Sequence, residues 1–150
     1  MKLIPILSFF ILFISNVHGQ IRTITGTVIN EDLERIPYVS IYSADTVKIG
    51  EANIDGYFTI SIKEETNRLM FGFVGMEWLT IRFAENCNKF EIIMMSEWFY
   101  DFISLRKADR LRKKRFDKLP ELRKKAFEQG VFKSDSLNYS QEFVRYSGFK

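Results

Sequence analysis

Seven short runs of alternating apolar and polar residues, each closed by turn residues, dominate the chain from residue 21 onward. They read ITGTVI, PYVSIYSA, VKIGEA, YFTISI, RLMFGFV, MEWLTIRF and KFEIIMM. Period-two alternation places successive side chains on opposite faces, so each run suits a half-buried antiparallel strand. In the first, Ile24, Gly26 and Val28 share a face; in the second, Val39, Ile41 and Ser43 oppose Tyr38, Ser40 and Tyr42. In YFTISI the core residues are Phe58, Ile60 and Ile62, with Tyr57, Thr59 and Ser61 turned away. Turn signals at intervals of roughly eight to twelve residues predict a sandwich or small barrel.

The segment Asn53-Ile54-Asp55-Gly56 raises a metal-site question. Aligning Gly56 with the glycine of an EF-hand loop puts Glu51, Asn53 and Asp55 at the first three ligand steps. The closing bidentate glutamate would then fall on Ile62, and a strand pattern, not a helix, follows. An EF-hand is excluded, while a looser calcium site stays open. Asp55-Gly56 reads as a tight hairpin turn in which both central residues take positive φ.

Four of these stretches together carry a resemblance. Ile24-Thr25-Gly26-Thr27-Val28, Pro37-Tyr38-Val39-Ser40-Ile41-Tyr42, Ala52 to Ile60 and Phe71-Gly72-Phe73-Val74-Gly75-Met76 follow one another as in the carboxypeptidase-regulatory-like domain. The chain resembles that family over roughly residues 21 to 95, with Asn53 where an aspartate is common and Met76 where a tyrosine is usual. The resemblance implies a transthyretin-like β-sandwich found in envelope proteins of Gram-negative bacteria, and a stand-alone, non-catalytic module that supports or binds something.

The N-terminus adds a compartment. Met1-Lys2, an apolar run from Leu3 to Ile14 and small residues up to Gly19 read as a secretory signal peptide cleaved between Gly19 and Gln20. The apolar run is shorter than the roughly 20 residues of a membrane span. The only histidine, His18, leaves with that peptide, which removes Ser-His-Asp and Cys-His catalysis and histidine-ligated zinc. No phosphate-cradling glycine loop is present, and no pair of carboxylates is marked out. We expect no enzyme activity and no cofactor. Cys87, the single cysteine, forms no intramolecular disulfide; it is either an idle thiol or a link between chains. Asn138-Tyr139-Ser140 fits the glycosylation pattern without implying use in a bacterial envelope.

Charge changes abruptly after the last strand. Residues 20–100 hold 7 Lys and Arg against 12 Asp and Glu, whereas residues 101–150 hold 14 against 7, so an acidic sandwich precedes a basic tail. EWFYDFISLRKADRLRKKRFDK predicts a helix of about twenty residues with Trp98, Phe102, Leu105, Phe116 and Leu119 near one side, interrupted by Asp109 and Arg112. Pro120 breaks or restarts it, Gly130 caps a second short helix, and the remainder either lies along the sandwich or is disordered. The cations Arg106, Lys107, Arg110, Arg112, Lys113, Lys114 and Arg115 suit an anionic membrane surface, an acidic partner or the chain's own acidic sandwich, or are simply a solvated helix face whose aromatic side packs on the sandwich edge. Export argues against nucleic acid.

The resulting expectation is a signal peptide (1–19), a seven-stranded antiparallel Greek-key-type sandwich (20–96) and a basic α-helical tail (97–150). Its role is a non-catalytic periplasmic binding or scaffolding module of the envelope that contacts an envelope protein or membrane. The alternative is a glycan- or peptide-binding sandwich with Tyr38, Tyr42 and Tyr57 as stacking rings. Oligomeric state is left open.

Overall fold

The computed structural model describes residues 20–148. The expected signal peptide, its cleavage point and His18 lie outside the described residues. The chain is mostly β, with strands β1 (Ile21–Ile29), β2 (Ser40–Tyr42), β3 (Lys48–Glu51), β4 (Tyr57–Lys63), β5 (Arg68–Gly72), β6 (Leu79–Phe83) and β7 (Lys89–Ile93). Helices α1 (Leu105–Phe116) and α2 (Leu119–Glu128), strand β8 (Tyr139–Gln141) and a 3-10 turn over Tyr146–Gly148 complete it.

Two sheets stack around one core. The first has the order β4-β1-β7 and the second β3-β2-β5-β6-β8. The alternation predicts seven antiparallel strands; the described residues form eight, and β1 runs parallel to β7 with Ile29 opposite Ile93. A parallel neighbour needs a long crossover, supplied here by the five intervening strands. β8 is invisible in the sequence because three residues cannot show an alternation. It pairs antiparallel with β6, Tyr139 opposite Phe83, so the last part of the chain extends the second sheet.

The alternating residues do form the core: Ile24, Val28, Phe58, Ile60, Ile62, Phe90 and Ile92 face Ile41, Leu69, Phe71 and Ile81. Phe58 meets Phe71 with ring centroids 5.6 Å apart, and Phe83 meets Phe90 at 4.8 Å, within the range where aromatic pairs add to area burial. Gly26 sits opposite Phe58 across β1 and β4. A Cβ there would come within 2.4 Å of the Phe90 carbonyl oxygen and 2.5 Å of the Phe58 ring, so only glycine lets the ring lie against β1.

The turn at Asp55-Gly56 forms differently from the expected hairpin. β3 and β4 belong to different sheets, so the turn carries the chain from one sheet to the other. Only Gly56 has positive φ (+72°), and Asp55 does not. The Asn53 side-chain oxygen accepts from the N–H groups of Asp55 (3.0 Å) and Tyr57 (2.9 Å), while the Gly56 N–H donates to the Asn53 carbonyl. Asn30 repeats this pattern with Asp32 and Glu34, and there Leu33 takes the left-handed position at φ 66°. Both asparagines use their side-chain oxygen to hold a turn.

The outer face of the first sheet is covered by the tail. Ile29 and Ile93 pack under Ala126 of α2 and Phe132 in a second apolar cluster. Pro120 occupies the first turn of α2, where its missing N–H costs nothing. After Gln129, the N–H groups of Gly130 and Val131 bond the carbonyls of Phe127 and Ala126, the double bond of a Schellman stop.

Candidate interaction surface

Helix α1 begins at Leu105 because the Ser104 side chain caps the Lys107 N–H, and Phe102 just before it takes φ 63°, outside helical geometry. The twenty-residue helix expected from residue 97 is therefore shorter, and Trp98 and Phe102 lie in a loop before it. The face of α1 that packs inward is the side expected from the sequence, but Leu105 on it is exposed and its fully buried positions are not the apolar rings. It consists of Ala108, Asp109 and Arg112, all buried, with Arg115 and Phe116 half-buried at the same helical spacing.

The two residues that interrupt the apolar side are thus the docking residues. Arg112 forks onto Glu77 of the sandwich, Nε to Oε1 at 3.0 Å and Nη2 to Oε2 at 2.7 Å, with both side chains buried. Its Nη1 donates to the Val144 carbonyl (2.9 Å) and to Asp109 Oδ1 (3.3 Å), and its guanidinium lies 3.7 Å from the Tyr146 ring centre. Burial alone would lower the Arg112 pKa, but the Glu77 bonds and charge outweigh it and raise it. Burial would likewise raise Asp109. The Ser147 hydroxyl (2.6 Å) and N–H (3.0 Å), the Tyr146 N–H (2.8 Å) and Arg112 reverse that, holding it below the usual carboxylate range. Arg115 pairs with Glu31, donates to the Ser96 carbonyl at 2.8 Å and lies 4.7 Å from the Trp98 ring centre.

Of the seven cations singled out in the sequence, Arg112 and Arg115 are consumed by these internal contacts, and Lys113 pairs with Asp117. Arg106, Lys107, Arg110 and Lys114 are exposed and, among the described residues, pair with no carboxylate. The loop ahead of them presents Phe99, 87% exposed, and Phe102, wholly exposed. A basic helix face thus adjoins an exposed aromatic loop.

The three tyrosines are not brought together. Tyr38 and Tyr57 border one shallow hollow, where Arg35 sits 4.2 Å from the Tyr57 ring centre and occupies one of its faces. Tyr42 stands apart, paired with Trp78 at 5.2 Å between centroids. Trp78 closes over Gly72, an aromatic neighbour the sequence pattern did not single out. Cys87 is half-buried with its Sγ 3.4 Å from the Asn138 carbonyl oxygen, and the Asn138 side-chain amide donates to the Lys89 carbonyl at 2.7 Å. Among the described residues no three of His, Cys, Asp and Glu gather where a metal ion could be held, and no helix is long and apolar enough to cross a membrane.

Residues 24–97 match the family model of the CarboxypepD_reg-like domain. This stretch is a CarboxypepD_reg-like domain. No curated protein matches the chain. The match stops at Glu97, so the basic helices and β8, which complete the CarboxypepD_reg-like domain's second sheet and cover its first, lie beyond it.

One tail contact has a readable pH signature. Tyr139, buried between the sheets and α2, accepts from Arg123 Nη2 and donates to the Glu91 carbonyl, each at 2.9 Å. Burial pushes its pKa up to about 12 in spite of the neighbouring Arg123. Its neutral form therefore contributes stability that is complete below pH ~10 and is lost as pH rises through about 12. Two pKa units correspond to about 2–3 kcal/mol. Tyr139→Phe is expected to be less stable at neutral pH by ~1 kcal/mol for the lost hydrogen bonds. It should also show a shallower loss between pH 10 and 12 in urea denaturation; parallel profiles would refute the assignment.

Proposed function

We propose that the protein is a non-catalytic, exported binding or scaffolding module of the bacterial envelope that docks on an anionic membrane surface through α1 and the loop before it. The observation that carries this reading is the exposed pair Phe99 and Phe102 beside four cations with no carboxylate partner among the described residues. Aromatic rings settle at headgroup depth, and each cation held near an anionic leaflet contributes about 1 kcal/mol. The buried Arg112–Glu77 pair and the half-buried Arg115–Glu31 pair hold this face on the sandwich, so that docking orients the whole domain.

Co-sedimentation with phosphatidylcholine vesicles, with and without phosphatidylglycerol, tests the proposal. Wild-type protein should pellet with the anionic vesicles at low salt and be released by high salt. Lys107→Glu removes one attraction and adds one repulsion, which should weaken binding by about tenfold or more. Phe99→Ser/Phe102→Ser should lower the salt concentration at which the protein is released. Failure of wild-type protein to pellet with anionic vesicles at low salt sinks the membrane reading.

A further inference from the structure

Beneath the outward face of α1 lies a cleft of about 450 Å³ between the helix and the segment around Arg145. Arg106, Arg110 and Lys114 line one wall at successive i, i+4 spacings, and Arg145 supplies the opposite one. Like charges at this spacing destabilise a helix unless an anion lies between them. The two acids bordering the cleft do not neutralise this set. Asp117 is taken by Lys113, and both oxygens of buried Asp109 are filled by Ser147, the Tyr146 N–H and Arg112. Asp109 instead clamps the 146–147 backbone to α1 and so fixes Arg145, one residue earlier, across from the helix. Phe143 forms an apolar part of the lining, its ring 5.4 Å from that of Phe116.

We infer that this cleft binds a phosphoryl group, as a phosphate monoester or a diphosphate. Four cations lining one cleft exceed what a single carboxylate balances. A phosphate monoester carries a charge of about −2 at neutral pH and three strong acceptor oxygens. The three arginines offer planar forks that match phosphate oxygens in pairs, a geometry carboxylate-rich peptides satisfy only one side chain at a time. The inference rests on the docking reading above, since Arg106, Arg110 and Lys114 belong to both, but it adds Arg145 and a defined ligand class. The phosphoryl group comes either from a lipid headgroup or from a soluble phosphate.

Titration calorimetry of the purified full-length protein with pyrophosphate at low salt is the direct test. Pyrophosphate is expected to bind, and Arg145→Ala and Arg110→Ala, one from each wall, should each weaken it by about tenfold or more. Lys124→Ala, an exposed cation on α2, should leave it unchanged. Vesicles containing phosphatidic acid or phosphatidylglycerol separate the two sources. Preferential pelleting with the monoester lipid, lost in Arg145→Ala, identifies a headgroup; equal pelleting alongside pyrophosphate binding identifies a soluble phosphate. If vesicles bind but pyrophosphate does not, or if Arg145→Ala and Lys124→Ala behave alike, the cleft inference is overturned while membrane docking stands. If pyrophosphate binds through Arg145 and no vesicle pellets, the docking reading falls and the cleft remains.

Discussion

Arg112→Met should destabilise the fold by about 3–5 kcal/mol, the usual cost of removing one partner of a buried ion pair. Glu77 would lose both of its short bonds and stay buried, with Arg115 Nη1 at 3.7 Å as its nearest remaining cation. Asp109 would lose Arg112 but keep its Ser147 and Tyr146 donors, so most of the penalty belongs to Glu77. For a chain of 150 residues, such a loss lowers the melting temperature by roughly 10 °C or more. The double variant Glu77→Leu/Arg112→Met separates charge from packing. With no carboxylate left stranded at position 77, it should recover a substantial part of the stability. Urea denaturation of the three proteins decides the matter: a double variant no better than Arg112→Met would mean that stacking on Tyr146, and not the ion pair, is what Arg112 supplies.

That pair also marks where sequence reading stops. The strands were legible because burial on one face of a sheet imposes period two, and YFTISIK shows the alternation without a fault. The same logic applied to residues 97–118 finds the side that packs but credits its apolar residues with the contact and treats Asp109 and Arg112 as faults. Their partners explain why that fails. Glu77 lies 35 residues before Arg112 on the sandwich, and Ser147 lies 38 residues after Asp109, so no local pattern links them. The helix start is written in the chain as Ser104, but the longer apolar period running through it masks the signal. β8 carries no periodic signal at all, and its pairing depends on an edge of β6 that only the folded sheet creates. For the surface, composition gave the right helix but not the division of its cations. Arg112 and Arg115 have the same chemistry as Arg106 and Arg110, and only the fold assigns the first two to internal bonds.

A chain ending at Ser96 should fail to fold cooperatively, although it retains nearly all of the CarboxypepD_reg-like domain. Cutting there removes the cover over Ile29 and Ile93 that Ala126 and Phe132 provide, and strips β8 from β6. Uncovering each such large apolar side chain costs about 1.5–3 kcal/mol. The cut also leaves Glu77 and Glu31 without Arg112 and Arg115, and deprives Phe90 of its edge contact with Tyr139 at 5.9 Å. Summed over these sites, the loss reaches the 5–15 kcal/mol that typically holds a whole domain together. Amide chemical-shift dispersion and a urea transition would report the outcome. A well-dispersed fragment with a cooperative transition near that of the full chain would show that the sandwich is self-sufficient and the tail an appendage. The expected collapse instead means that the folding unit extends past the family unit. In that case the basic face cannot be a free tether, because the helix that displays it is held by the same residues that hold the sandwich closed.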